Sequence, residues 1–255
     1  MSAGPNVSSP LRRYDAVICD IDGCLGPEST APLDLSALGR VARHNARAEG
    51  ERDRPVVTVC SGRPLPYAEA ILRAIACTSL ACVCENGVWL FDPRENAFLM
   101  DPAITHEHRD WVHAAQEWIL EDLGPSGVVI QPGKAASISL WHADTAYLFS
   151  LMPRLRERFA REGWKFRVSN TVAWINLDLE HVSKATGIAR LLARAGLRRE
   201  RLVGVGDSMS DLAIRESVAF FACPANAAPE LKPHADYVSA ASEVAGVLDI
   251  LDRVS

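Results

Sequence analysis

The sequence predicts an α/β protein in which a parallel-sheet core domain is interrupted by an inserted α+β domain. In the first and last thirds of the chain, apolar β-branched runs alternate with helical stretches, which is typical of a parallel sheet. From residue 88 to about residue 178 the strands are shorter and interrupted by polar residues, and two amphipathic helices lie among them. That pattern favours an antiparallel sheet with helices on one side.

The composition excludes several classes of protein. The chain has 255 residues and a net charge of -5, so a nucleic-acid role lacks electrostatic support and an anionic substrate needs local cations. Its apolar stretches are too short to span a bilayer, and the N-terminal MSAGPNVSSPLRRYD lacks the apolar segment of a secretory signal. The seven cysteines lie mostly inside apolar runs, which suits reduced, buried thiols. We expect a cytoplasmic protein with neither nucleic acid nor membrane as partner.

The first strand ends in two carboxylates. Residues 16–26 read AVICDIDGCLG, an apolar run followed by Asp20, Asp22 and Gly23. Because strand side chains repeat every two residues, both carboxylates are expected on the same side. Such proximity is unfavourable unless a metal cation or a proton neutralises one of them, and both solutions are catalytic. Taken alone, the motif is equally compatible with a strand followed by an acidic turn.

The second strand, residues 55–60, ends in Ser61, Gly62 and Arg63, before a helical stretch at residues 67–76. A turn of small residues at a helix start offers a hydroxyl, backbone N–H groups and the positive helix end to an anion. This reading predicts a phosphate-binding turn. A serine N-cap followed by a glycine turn is the structural alternative.

A third apolar run, residues 80–84, ends in the Glu-Asn-Gly sequence that contains Asn86. Asn-Gly after such a run predicts a hairpin turn, with residues 88–91 as the returning strand. The inserted domain follows. Its predicted strands lie at residues 97–100, 128–131, 137–141, 165–168 and 172–177, and its predicted helices at residues 104–123 and 145–162.

The parallel pattern resumes at Asp178. Ser183 is the predicted N-cap of a helix that starts at Lys184 and ends at Gly196. The helix dipole disfavours a cation in the first turn, so a lysine there suggests a specific task. A solvated surface lysine is the other interpretation.

The fourth strand, residues 202–206, again ends in carboxylates, Asp207 and Asp211. If the chain turns helical from Ser208 onward, both carboxylates point at the same centre. A capping aspartate is the alternative. Short strands at residues 218–221 and 236–238 and a closing helix at residues 240–254 complete the predicted core domain.

These four sites, taken in order, resemble the motifs of the haloacid dehalogenase-like (HAD) hydrolase superfamily. The matching stretches are DIDG, the serine of CSGR, the lysine of SKATG and GDSMSD. The ENG turn and the insertion between the second and third motifs resemble the Cof-type, or subfamily IIB, phosphatases. The resemblance covers nearly the whole chain. It implies a Rossmann-like core domain at residues 1–87 and 178–255 and an inserted α+β cap domain at residues 88–177.

The resemblance implies a phosphoric monoester hydrolase that works through an aspartyl-phosphate intermediate. Asp20 is then the expected nucleophile, and Asp22 the general acid that later activates water. Lys184 is expected to offset the charge of the nucleophile and the phosphate. Mg²⁺ is expected on the carboxylates of Asp20 and Asp207 and the backbone carbonyl of Asp22, since this ion prefers oxygen ligands.

The resemblance also implies the binding and supporting residues. Ser61 and the amide of Gly62 are expected to hold the phosphate, and Asn86 and Arg63 to contact the substrate below the cap. Asp211 is expected to orient the catalytic lysine or a metal-bound water.

Two residues depart from the family pattern. Cys24 stands where threonine is common, and Ser210 where asparagine is common. Neither change removes a group that the chemistry needs, but both could weaken phosphate positioning or metal affinity. Because dehalogenases lack the second carboxylate of the first motif, Asp22 favours hydrolysis of a phosphate ester.

The expected substrate is a small phosphorylated metabolite, either a sugar phosphate or a short phospho-acid. A phosphotransferase or phosphomutase is the alternative enzyme, since phosphomannomutases have a similar cap placement. A catalytically silent protein that binds a phosphorylated ligand is the alternative outside enzymes. The sequence leaves open the choice between a monomer and a homodimer.

Overall fold

The computed structural model describes residues 13–255, which form two compact units. Unit 1 comprises the described residues up to Val59 together with Ile71–Leu80 and Arg194–Ser255. Unit 2 comprises Cys60–Ala70 and Ala81–Ala193. Most of the N-terminal segment considered above lies outside the described residues. Unit 2 includes the predicted insertion together with residues 60–70, 81–87 and 178–193. These units reflect compactness and do not test the predicted domain boundaries, which stay a prediction.

Strands and helices occur where the sequence pattern predicts them, with small shifts at their ends. The strands in residues 13–255 are β1 (Ala16–Cys19), β2 (Val56–Val59), β3 (Cys82–Cys84), β4 (Trp89–Asp92), β5 (Ala97–Met100), β6 (Val129–Ile130), β7 (Ser137–Trp141), β8 (Phe166–Asn170), β9 (Ile175–Leu179), β10 (Leu202–Val205), β11 (Phe220–Cys223) and β12 (Tyr237–Val238). The α-helices in the same residues are α1 (Leu35–Glu51), α2 (Leu65–Ala74), α3 (His106–Asp122), α4 (Thr145–Ser150), α5 (Met152–Glu162), α6 (Lys184–Ala195), α7 (Leu212–Glu216) and α8 (Glu243–Val254). Each helix in this described part is too short or too polar to cross a membrane.

Unit 1 contains a five-stranded parallel sheet in the order β12-β11-β10-β1-β2. Cys19, the last residue of β1, pairs with Val205 of β10 on one side and with Val59 of β2 on the other. The carboxyl ends of these strands are therefore level. Residues that follow β1 and β10 must lie side by side at the same edge of the sheet.

The edge strand β2 is covered by a buried asparagine of α1. The Oδ1 atom of Asn45 accepts the N–H of Val57 at 2.7 Å, and its Nδ2 donates to the carbonyl of Val57 at 3.0 Å and to that of Ile75 at 2.8 Å. Backbone groups at a sheet edge need such partners when water is excluded. Asn45 thus pairs the backbone groups of Val57 on the outer side of β2.

Unit 2 contains two antiparallel sheets, β3-β4-β5 and β6-β7-β9-β8. The hairpin predicted at Asn-Gly is confirmed, since Cys84 of β3 pairs with Trp89 of β4. Its connection is a short 3₁₀ turn, Glu85–Gly87, in which Asn86 adopts a left-handed conformation with φ of 52°. Asparagine tolerates that conformation better than most residues. The predicted α/β class with a parallel sheet and a further antiparallel sheet is confirmed.

The four-stranded sheet has one apolar and one polar face. Ile138, Leu177 and Phe159 belong to a single apolar core, in which α3, α4 and α5 pack on the sheet. Because neighbouring strand residues point to opposite faces, the residues between the apolar ones face the other way. We call this the polar face. Its members include Ser137, Ser139, Arg167, Asn176 and Asp178.

The helix predicted at residues 145–162 is two helices, α4 and α5, separated at Leu151. Pro153 lies in the first turn of α5. Because proline has no N–H, it cannot donate to the carbonyl four residues earlier, and its ring disfavours a continuous helix. The apolar positions are nearly continuous across the break, which explains why periodicity alone predicted one helix.

Candidate active site

Three carboxylates come together in unit 1. One oxygen each of Asp20, Asp207 and Asp211 lies within 4.8 Å of the others. Asp20 directly follows β1, and its N–H donates to the carbonyl of Val205 in β10 at 2.9 Å. Asp207 follows β10 after a single glycine. The level strand ends of the parallel sheet therefore bring these residues together, as the sequence predicted for Asp20 and Asp207.

The chain turns sharply after Asp20. The carbonyl of Ile21 accepts the N–H groups of Cys24 at 3.1 Å and of Gly26 at 2.8 Å. Gly23 has φ of 73°, and a Cβ on it would overlap the carboxylate of Asp207. Only glycine satisfies both the left-handed backbone and the close approach.

Asp22 lies in this turn, half-buried, and forms an isolated bridge with Gly26. β1 ends at Cys19, so Asp20 and Asp22 both follow the strand, and the strand alternation on which their expected common side rests does not extend to them. The side chain of Asp22 is not among the three carboxylates of the cluster. Its expected contribution to a metal site, through the backbone carbonyl, does not need that side chain.

Asp211 organises the loop after β10. Its Oδ2 accepts the N–H groups of Asp207 at 3.0 Å and of Ser208 at 3.1 Å, and the hydroxyl of Ser208 at 3.3 Å. The chain turns helical at Met209–Asp211 and continues into α7, which was the condition for Asp207 and Asp211 to point at one centre. A Cβ on Gly206 would overlap Asp211. Asp211 thus holds the loop through hydrogen bonds and also contributes a carboxylate to the cluster.

Two thiols near the cluster, those of Cys24 and Cys223, have raised pKa values. Burial, the neighbouring Cys19, and then the charges of Asp207 and Asp20 raise the pKa of Cys24 well above its usual value. Burial, followed by the charges of Asp211 and Asp207, raises the pKa of Cys223 to about 12. The negative charge of the site therefore comes from carboxylates, whose oxygen atoms suit a hard divalent cation such as Mg²⁺.

Unit 2 contains the predicted phosphate-binding residues. Ser61 is buried, its N–H donates to the carbonyl of Val83 in β3 at 3.0 Å, and its Oγ accepts the N–H of Arg63 at 3.2 Å. The N–H of Asn86 donates to the carbonyl of Ser61 at 3.1 Å. The 61–63 turn and the 85–87 turn are thus hydrogen-bonded to each other.

The side chain of Asn86 lies over Gly62, where a Cβ would be 2.9 Å from Asn86 Oδ1. Its Nδ2 donates to both carboxylate oxygens of Asp178, at 3.2 and 3.3 Å. The Arg63 guanidinium lies 5.0 Å from the ring centroid of Tyr67, within the range of a cation–π contact. Asp178 therefore orients Asn86, whose side chain lies close to Gly62, the residue whose amide is expected to bind the phosphate.

Lys184 is buried and is the first residue of α6. Ser183 caps this helix, as predicted, because it exchanges hydrogen bonds with Thr186 at 3.0 and 3.3 Å. A Cβ on Gly87 would overlap the carbonyl of Ser183, and a Cβ on Gly187 would lie 2.8 Å from the Cα of Gly87. These two glycines allow the start of α6 to approach the 85–87 turn closely.

Sequence reasoning missed two residues of this region. Glu85 was considered only as part of the turn, although its side chain is fully buried and accepts backbone N–H groups from residues 135–137. Asp178 was used only to mark a boundary, yet it orients Asn86. The available signal for Glu85 was an acid between two apolar runs, residues 80–84 and 88–91. Asp178 gave no such signal, since its partner lies 92 residues away.

A scan of protein families matches residues 143–251 to the haloacid dehalogenase-like hydrolases. A protein of Methanothermobacter thermautotrophicus named phosphoglycolate phosphatase is 27% identical over 241 residues, which cover 93% of this chain and 97% of that protein.

Two solved structures share the fold. An HAD/COF-like hydrolase from Plasmodium vivax superposes with a TM-score of 0.70 at 17% identity, covering 94% of this chain and 98% of that one. The sucrose-phosphatase of Synechocystis, solved with sucrose and phosphate, superposes with a TM-score of 0.66 at 18% identity, covering 95% and 98%. Both likenesses extend over the parallel and the antiparallel sheets.

Proposed function

We propose that this protein, a phosphatase similar to the haloacid dehalogenase-like hydrolases of the Cof type, hydrolyses a short phosphorylated acid in a Mg²⁺-dependent reaction. The observation that supports this most directly is the cluster of Asp20, Asp207 and Asp211 at the carboxyl end of β1 and β10. The relative named phosphoglycolate phosphatase favours a phospho-acid over the sugar phosphates that the sequence left open.

In the proposed reaction, a carboxylate oxygen of Asp20 attacks the phosphorus atom, and the bond from phosphorus to the leaving oxygen breaks. Asp22 gives its proton to that oxygen. Water then attacks the phosphorus of the aspartyl phosphate, Asp22 takes a proton from that water, and the bond from phosphorus to the Asp20 oxygen breaks. Inorganic phosphate leaves, and both carboxyl groups return to their starting states.

The carboxylates of Asp20 and Asp207 and the backbone carbonyl of Asp22 would hold Mg²⁺. The ion supplies positive charge next to the phosphoryl group, which lowers the repulsion between two anions. Asp211 keeps the loop of Asp207 in place through its hydrogen bonds to residues 207 and 208.

Residues of unit 2 are proposed to bind the substrate. Ser61 and the amide of Gly62 hold the phosphate, and the ammonium of Lys184 balances its negative charge. Asn86, which Asp178 orients, and Arg63 contact the substrate beyond the phosphate.

The test is phosphate release by the purified protein from phosphoglycolate, several sugar phosphates and an aryl phosphate, with Mg²⁺ or with a chelator. We expect Mg²⁺-dependent release, fastest from the phospho-acid. Asp20→Asn should lower the rate at least about 1,000-fold because it removes the nucleophile. Asp110→Asn, an exposed change on α3, is the control and should keep full activity.

Retained activity in Asp20→Asn would contradict the mechanism. Phosphate transfer only when a second hydroxyl compound is present would indicate a phosphotransferase or mutase. Tight, Mg²⁺-dependent binding of a phosphorylated ligand without turnover would indicate a binding protein.

We also propose a cytoplasmic location. All seven cysteines are buried and form no disulfide in residues 13–255, which suits a reducing compartment. Recovery of the native protein from a secreted fraction would contradict this proposal.

A further inference from the structure

Glu85 holds a loop of unit 2 in place. Its Oε1 accepts the N–H groups of Ala135, Ala136 and Ser137 at 2.8, 2.8 and 2.9 Å, and the hydroxyl of Ser137 at 3.0 Å. Successive N–H groups that converge in this way form a concave anion-binding site. Here a buried side chain of the same chain occupies it, so the 133–137 loop has one defined position.

The same glutamate is joined to the proposed phosphate-binding turn. The N–H of Glu85 donates to the carbonyl of Arg63 at 2.9 Å. On the loop side, a Cβ on Gly133 would lie 3.6 Å from the Cβ of Pro64, which is ordinary van der Waals contact. The 133–137 loop therefore lies directly beside residues 61–64.

This loop carries a lysine whose ammonium is also fixed. The Nζ of Lys134 donates to the hydroxyl of Ser139 at 2.5 Å, and that hydroxyl donates to the Oδ1 of Asn176 at 2.5 Å. Ser139 and Asn176 are opposite each other on β7 and β9, on the polar face. Because the single proton of Ser139 goes to Asn176, its oxygen faces the ammonium as an acceptor.

We propose that Lys134 binds the second anionic group of the substrate, the carboxylate of a short phosphorylated acid, and that Glu85 positions it. The inference rests on the proposed function. A chain with net charge -5 has no general attraction for an acid that carries both a phosphate and a carboxylate, so recognition needs a fixed local cation. Lys134 is such a cation, and its loop is tied through Glu85 to the turn that would hold the phosphate. That rigid connection selects acids of one short length.

The alternative role for Lys134 is structural, because its charge also stabilises the buried carboxylate of Glu85. The two roles differ in their substrate dependence. A cation that binds the carboxylate matters only for substrates that have one. A lysine that only maintains the fold affects every substrate alike.

The experiment compares phosphoglycolate with ethyl phosphate, an ester of similar size without the carboxylate. Lys134→Met should raise KM for phosphoglycolate about 10- to 100-fold, the range for a lost hydrogen bond between charged groups. The value of kcat, and kcat/KM for ethyl phosphate, should change less than about 3-fold. Lys134→Arg should recover part of the loss, and Lys165→Met, at an exposed position of the same unit, is the control.

Glu85→Gln tests the positioning role separately. It should raise KM for phosphoglycolate and leave kcat/KM for ethyl phosphate nearly unchanged, because only the placement of the ammonium is altered. If Lys134→Met does not fold, Lys134→Arg and Glu85→Gln still give the same comparison of substrates.

An equal loss on both esters, or no loss on phosphoglycolate, would overturn the inference. So would a wild-type protein that hydrolyses both esters equally well, and that result would leave the phosphatase proposal intact. A wild-type protein that releases phosphate from no ester with Mg²⁺ would instead contradict the proposed function.

Discussion

Cys24 illustrates how one residue can depart from a family pattern without changing the charge of the site. The thiol is fully buried beside Cys19, Asp20 and Asp207, and its raised pKa keeps it protonated at neutral pH. A threonine there would also be neutral. Cysteine in place of threonine therefore leaves the charge of the carboxylate cluster unchanged. It alters only the hydrogen bond that this side chain could make to the proposed substrate phosphate.

Gly23 lies so close to Asp207 that any side chain at this position would disturb the carboxylate cluster. Gly23→Ala should cost about 1–2 kcal/mol of folding free energy, since alanine is strained at φ of 73°. It should also displace the carboxylate of Asp207, so we expect phosphate release to fall at least about 100-fold. Denaturant titration and the phosphate assay measure the two effects.

Gly163 is the matched control. Its φ is 74°, and nothing lies within 4 Å of an added Cβ. Gly163→Ala should therefore show only the loss of stability that the backbone strain causes, and it should keep its activity. Equal activity of the two alanine variants would show that the close approach at Gly23 is irrelevant to catalysis.

At the scale of elements, α8 and β12 are joined by a carboxylate. Asp249 of α8 accepts the hydroxyl of Ser239 at 2.6 Å and that of Tyr237 at 2.7 Å, and these bonds lower the pKa of Asp249. A pKa lowered on folding means that the unfolded chain binds the proton more tightly. The resulting stability is present above the pKa of this carboxyl in the unfolded chain, about 3.9. It is lost as the pH falls through the lower pKa that the carboxyl has in the folded protein.

We therefore predict that, as the pH is lowered from about 5 to about 3, the free energy of unfolding decreases less for Asp249→Asn than for the wild type. Urea midpoints measured across that interval test this. Asp252→Asn, on the same helix, is the control. Parallel pH profiles for Asp249→Asn and the wild type would contradict the prediction. The expected difference in stability is small, because Asp249 is exposed to solvent.

At the scale of the whole molecule, residues 13–255 form two units, and the three clustered carboxylates belong to unit 1. A cation that binds only the folded state stabilises that unit by mass action, by about 1.4 kcal/mol at ten times its Kd. Mg²⁺ should accordingly raise Tm by about 3–5 °C, and a chelator should reverse this. Calorimetry with and without Mg²⁺ provides the measurement.

Asp207→Asn is the informative variant for this prediction, because it removes the charge of one proposed ligand and keeps the shape of the side chain. Its Tm should be nearly independent of Mg²⁺. A shift as large as that of the wild type would place the stabilising ion elsewhere.

The sequence by itself determined the fold class, the order of the strands along the chain and the positions of Asp20, Ser61, Lys184 and Asp207 at the ends or starts of elements. Each of these depends on local patterns, because apolar runs, glycines and caps define where an element ends. The hairpin at Asn86 is a local feature of the same kind.

Only the tertiary structure decided which polar groups meet. Glu85 holds N–H groups some 50 residues later in the chain, and Asn86 meets Asp178 across 92 residues. Asp22 lies outside β1, contrary to the geometry expected for it, because the strand ends at Cys19. Such contacts depend on strand register and on the close approach of glycines such as Gly87, which no periodicity in a single sequence records.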